Sequence, residues 1–113
     1  MAVPPALPGE VFDLCPHGEA AAQAVTTSLV KTAGLQVIRL VLAAGQDKPA
    51  HRVAGDITVQ CLAGRVAVAA LGATRELAAG QMLYLAGGEE HALSGVEDST
   101  LLVTILLRPP GKA

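Results

Sequence analysis

Aromatic side chains are almost missing from this chain: 113 residues contain one Phe (Phe12), one Tyr (Tyr84) and no Trp. A protein that grips single-stranded nucleic acid by stacking bases on aromatic rings needs more than that, so this class is excluded. Positive charge is scarce too. Lys and Arg number 8 against 10 Asp and Glu, for a net charge of −2, and the basic residues form no stripe. A phosphate-backbone partner is therefore not expected. No apolar run reaches the roughly 18 to 20 residues that cross a bilayer. The longest, Leu101 to Leu107, is strand-sized and interrupted by Thr104. The N-terminus lacks a basic stretch followed by an apolar one, so neither a secretory signal nor a membrane partner is expected. The two cysteines, Cys15 and Cys61, lie far apart with no CxxC, which predicts reduced thiols and a cytoplasmic protein.

What is present is aliphatic. Half the residues are hydrophobic (51%) and only 16% are charged, a composition that folds rather than one that stays disordered. The length predicts a single domain over 1–113. Pro4, Pro5, Pro8 and Gly9 mark an irregular arm. Residues 17–24 are the one plausible helix, about two turns and too short to stand without packing. The arm and helix together occupy 1–24, and a β-barrel is expected over 25–108. From Val25 onward the chain reads as eight short β-rich runs: Val25–Thr32, Leu35–Ala43, Ile57–Ala63, Arg65–Leu71, Thr74–Leu77, Met82–Leu85, His91–Leu93 and Thr100–Leu107. Gly and Pro signals separate them. This spacing predicts a small all-β sandwich or barrel, and the lack of long helices between strands argues against a parallel sheet. Leu35–Ala43 and Val66–Leu71 are apolar on both faces, so their outer sides need a cover: the short helix or a second subunit. A homodimer is the expectation.

Three histidines are the full set of neutral-pH metal ligands and proton carriers. His51 follows a turn beginning at Gly45 and containing Pro49. His91 follows Gly87-Gly88-Glu89-Glu90. Each stands where a loop delivers the chain toward a strand, a position from which a ligand can be presented into a cavity. His17 reads as an exposed residue at a helix start, able to join a site only if the arm folds over the barrel mouth. Gly87-Gly88 is no phosphate loop, because it lacks the Lys and the following helix.

The spacing of these residues resembles the two motifs of the cupin family. Gly45, five residues, His51-Arg-Val53, three residues, Ile57, six residues and Gly64 are similar to the first, which runs Gly, His-x-His, Glu, Gly. Gly80, five residues, Ala86-Gly87-Gly88, two residues, His91, three residues and Gly95 are similar to the second, which runs Gly, Pro-x-Gly, His, often Asn. The resemblance covers about half the chain. It implies a jelly-roll-like double-stranded β-helix and, in the family, four metal ligands. Carried over residue by residue, the ligand positions fall on His51, Val53, Ile57 and His91. Val53 and Ile57 have no lone pair to donate, and two imidazoles alone rarely hold a catalytic divalent ion. The neighbouring Asp56 would point away from the barrel if Ile57 points in.

The same alternation predicts the pocket. With Ile57 inward, Val59 and Cys61 follow, joined by His51, Val53, His91, Leu83 and Leu85: apolar walls with a few polar groups. Cys61 reads as a packed core thiol or, alternatively, as an inward ligand or nucleophile for which no adjacent base is visible. Glu89 and Glu90 read as a solvated turn that could also hold the second nitrogen of His91. Gln60 and Arg39 are expected on the outside. Two functions follow as expectations. One is a small barrel that binds a small molecule with weak or no metal dependence, as an auxiliary or sensing protein in bacterial metabolism. The other is a metal-dependent dioxygenase or isomerase using His51 and His91 with Fe, Mn, Ni or Zn. A module that only binds a partner protein would have a collapsed pocket.

Overall fold

The computed structural model describes residues 6–15 and 25–107. The helix expected over 17–24, and His17 with it, lie outside the described residues. Among the described residues, nine antiparallel strands form two sheets: β1 (Thr27–Lys31), β2 (Leu35–Leu42), β3 (Asp47–His51), β4 (Ile57–Ala63), β5 (Arg65–Ala70), β6 (Ala73–Ala78), β7 (Met82–Leu85), β8 (His91–Gly95) and β9 (Ser99–Leu106). One sheet has the order β1-β2-β9-β4-β7 and the other β3-β8-β5-β6. From β2 to β9 the chain passes repeatedly between the sheets, so most strands pair with distant partners. The result is a jelly-roll-like double-stranded β-helix.

The burial pattern has the period of two that a pleated strand imposes. In β4, Ile57, Val59 and Cys61 are buried, while Thr58, Gln60 and Leu62 between them are only half-buried. In β9 the buried set is Ser99, Leu101, Val103 and Ile105. These faces meet in one core with Leu40 and Leu42 of β2, Val66 and Val68 of β5, and Leu93 of β8. Each fully buried aliphatic side chain contributes roughly 1.5–3 kcal/mol of transfer free energy. Arg39 lies opposite Leu102 and Thr27, on the face of the sheet away from Leu40, and donates to the carbonyl oxygen of Asp13 at 3.0 Å.

One strand was absent from the sequence reading. Asp47–His51 reads as a turn because it holds two charges and Pro49, yet it forms β3. It sits at the edge of its sheet, paired only with β8, and the register slips between Lys48 and His51. Pro49 lies in that slip. An edge strand at an irregularity is where a residue without an N–H can be tolerated.

The turns between strands use glycine where the backbone requires it. Gly45, Gly64, Gly80 and Gly88, all drawn from the two motifs, have positive φ. Gly64 (φ +81°) is doubly constrained, since a Cβ there would collide with the carbonyl oxygen of Asp98.

Candidate functional site

The hydrogen bonds of β3 to β8 place His51 directly opposite His91. Residues opposite one another in an antiparallel pair project from the same face, so both imidazoles turn the same way. Their ring centroids are 4.5 Å apart, with the planes tilted by 57°. His91 is 2% exposed, whereas His51 is exposed. The pair therefore has one ring inside the barrel and one at its rim.

Loop contacts hold that geometry. The Gly88 N–H donates to the Val53 carbonyl oxygen at 2.8 Å, and the Gly87 N–H donates to Asp56 Oδ1 at 3.0 Å. A Cβ on Gly87 would collide with the Ala54 carbonyl oxygen. The loop before His91 is thus tied to the loop after His51 by backbone contact and one carboxylate. Arg52 and Glu90 add an exposed ion pair at 3.5 Å across the same two loops. Asp56 uses its side chain for this tie and is absent from the cavity wall.

Beneath the histidines is a cavity of about 120 Å³. The five-stranded sheet contributes Ile38 and Leu40 from β2, Ile57 and Val59 from β4, and Val103 and Ile105 from β9. The opposite sheet contributes Leu93 from β8, with Lys48, His51 and His91 as the polar groups. Of the eight residues expected from sequence, His51, His91, Ile57 and Val59 stand on this wall and the other four do not. Cys61 and Leu85 are buried in the core, 1% and 2% exposed, and Leu83 packs against that core half-buried. Val53 borders a separate surface depression with Ala54, Gly55 and Leu107. This distribution has a physical reason. Alternation decides which face of a strand is inward, but not where along that face packing gives way to space.

Lys48, Ile38, Leu40, Leu93, Val103 and Ile105 were missed. Lys48 was hidden because its strand was read as a turn. For the aliphatic residues, the even positions of β2 and the odd positions of β9 would have identified the inward face.

Chemically, the histidines are oriented by backbone. His91 Nδ1 lies 3.1 Å from the Glu89 carbonyl oxygen. A carbonyl only accepts, so Nδ1 is the donor in this contact and Nε2 is not engaged by it. His51 Nδ1 has a longer contact, 3.4 Å, to the Pro49 carbonyl oxygen. Neither glutamate side chain of the turn takes this part. Burial pushes the Cys61 thiol above its ordinary range, and its Sγ–H faces the carbonyl oxygens of Ala63 and Gly64 at 3.4 and 3.6 Å. A protonated, buried thiol does not act as a nucleophile.

The metal that the motif resemblance implies does not fit these donors. Ile57 presents hydrocarbon to the cavity, Val53 lies elsewhere, and Asp56 is engaged with Gly87. Among the described residues no group of three or more His, Cys, Asp or Glu side chains could hold an ion.

This barrel has the cupin fold. Among similar solved structures are a conserved protein of unknown function from Streptococcus pyogenes (24% identity, 96% of each chain, TM-score 0.75) and a cupin superfamily protein from Desulfitobacterium hafniense (18% identity, 74% of this chain and 77% of that one, TM-score 0.72). A third is an RmlC-like cupin family protein with a double-stranded β-helix fold from Methanocaldococcus jannaschii (16% identity, 88% of this chain and 94% of that one, TM-score 0.71). At these identities the likeness establishes the fold alone. No family model matches the sequence, and no curated protein matches it. The chain is a small cupin-fold protein, and its chemistry has to be argued from its own residues. Among the described residues no helix is long and apolar enough to cross a membrane.

Proposed function

We propose that this protein binds a small molecule in the cavity beneath His51 and His91, without a resident catalytic metal. The supporting observation is the composition of the wall: seven aliphatic side chains and three nitrogen-bearing ones, around a space of about 120 Å³. Such a wall desolvates an apolar body and orients it through a few polar contacts. A collapsed barrel serving only as a partner-binding module would have filled this space. The reading carries with it a cytoplasmic homodimer. Free cysteines at Cys15 and Cys61 favour the compartment, and exposed Met82, Tyr84 and Leu106 favour a second copy. Light scattering on the purified chain checks the dimer.

The competing reading is a metal-dependent enzyme built on the two free Nε2 atoms. Metal content of protein purified without an affinity tag separates the two. Trace metal, even after incubation with excess Fe, Mn, Ni or Zn, is the expected result. A stoichiometric transition metal that disappears in His51→Ala or His91→Ala would overturn the proposal. The missing ligand is a second handle on the same question. Ile57→Glu places a carboxylate on the cavity wall, where burial without a partner costs several kcal/mol. The variant is expected to be unstable alone and to regain thermal stability on adding Zn or Ni, which the wild type does not.

A further inference from the structure

We propose that the cavity selects a small organic anion, a short aliphatic carboxylate whose acid group meets Lys48 and whose tail lies on the aliphatic wall. This inference rests on the pocket reading above and names the chemical class of its ligand.

Lys48 carries the argument. It pairs with Leu93, as His51 pairs with His91, so all four side chains belong to one face of the β3–β8 ribbon. Leu93, His51 and His91 line the cavity, and Lys48 does as well. Its burial is telling. Every other residue of β3 is exposed, including Pro49 and Ala50, and Lys48 alone is half-buried. A lysine is the last residue expected to be the most buried of an edge strand, unless its stem runs along an apolar surface toward something its ammonium can use.

Nothing among the described residues supplies a counter-charge. The ion pairs there are Arg52 with Glu90, and Arg65 with Glu76 and Glu97, and none includes Lys48. The cavity wall holds no carboxylate and no hydroxyl. A cation set against hydrocarbon, with no carboxylate on the wall beside it, gives the site a positive field, which an anion satisfies and a divalent cation opposes. The missing acidic ligand at Ile57 and the added cation at Lys48 act in the same direction. Size narrows the choice further. A cavity of about 150 Å³ holds the six carbons of benzene, so about 120 Å³ encloses roughly five non-hydrogen atoms. Butyrate, with six, is close to that size and has one charged end and one apolar end.

The test uses three probes of similar shape and different charge: butyrate, 1-butanol and n-butylamine. Each is titrated into isotope-labelled protein, with the methyl resonances of Leu93, Val103 and Ile105 as reporters. Butyrate is expected to bind about tenfold more tightly than butanol, the effect of one charge-assisted hydrogen bond, while butylamine does not bind. Lys48→Gln should reduce butyrate to the affinity of butanol, and Lys48→Arg should retain the preference. Because Lys48 lies on an edge strand, the amide spectrum of each variant verifies the fold directly. Equal binding of butyrate and butanol, or an unchanged preference in Lys48→Gln, overturns the anion assignment and leaves the pocket reading standing. If none of the probes shifts the reporter methyls in the wild type, the pocket reading falls and this inference with it.

Discussion

The two ends of this barrel are built from the same strands and behave differently. On β2, Ile38 and Leu40 line the cavity, whereas Leu42 is fully buried in packed core. On β4 the sequence of inward residues is Ile57 and Val59 at the hollow end, then Cys61 at the filled end. On β9 it is Ile105 and Val103, then Leu101, which is fully buried. Val66, also fully buried, closes the filled end from the opposite sheet. The side chains do not differ in kind along these strands. The filled end brings aliphatic groups from both sheets into contact, while at the hollow end three of the four facing positions belong to Lys48, His51 and His91, beside Leu93. Their polar heads cannot be packed into hydrocarbon, so the space between the sheets stays open. On the proposed reading, stability is concentrated at one end and recognition at the other.

The largest test of that division is Leu101→Ala. It removes a side chain enclosed on all sides, and it should cost about 2–5 kcal/mol in denaturant unfolding. A loss under about 1 kcal/mol would mean that the filled end is not the source of stability. A pair of enlargements probes the same division from the other side. Val66→Leu forces a methylene into closed packing and should cost about 1–3 kcal/mol. Val103→Leu adds the same group beside the cavity, where it should be neutral or slightly stabilising while excluding butyrate. Equal costs for the two substitutions would erase the distinction between the ends.

The filled end was the more legible in the sequence. Alternation in Ile57–Ala63 and Thr100–Leu107 marks the inward face, and glycines at Gly45, Gly64, Gly80 and Gly88 mark turns because positive φ is cheap only for glycine. The facing of His51 and His91 could be expected because each motif delivers its histidine from a loop of set length. The hollow end was harder. Its edge strand, Asp47–His51, needs few apolar residues because one side is open, so composition gives it no β signature. Lys48 became visible only with the β3–β8 register. Cys61, Leu83 and Leu85 were inward by pattern, yet their place along the barrel axis depends on how the two sheets approach, which no local pattern encodes.

Backbone strain also favours the hollow end. Ala70 pairs with His91, and the two-residue turn that follows it, Leu71-Gly72, has positive φ at both positions, +55° and +74°. Such a hairpin turn prefers Asn-Gly. Leu71 pays the steric penalty of a left-handed conformation while 61% exposed, so no burial offsets it. Leu71→Asn should raise stability by about 0.5–1 kcal/mol, read as a higher denaturant midpoint with an unchanged slope. A fall in the midpoint would show that the Leu71 side chain makes a stabilising contact that outweighs the strain.

The smallest effect is at the filled end and separates the two ends by pH. Burial raises the Cys61 thiol above its ordinary value of 9.0 in the folded chain, against the weaker lowering by the Ala63 backbone contact. The unfolded chain therefore releases this proton first as the solution becomes alkaline. Below pH 9.0 both states hold it and the thiol leaves stability unchanged with pH. Above 9.0 the folded state holds the proton and the unfolded state does not, so stability declines until the folded thiol also ionises. Cys61→Val removes that decline with little change in volume. Other groups that titrate in the same range are common to both proteins and cancel in the difference. The wild type should thus lose stability relative to Cys61→Val as the pH rises above 9.0, and native Cys61 should alkylate far more slowly than Cys15. Parallel pH profiles, or alkylation of both thiols at one rate, would place Cys61 in contact with solvent and reopen the filled end.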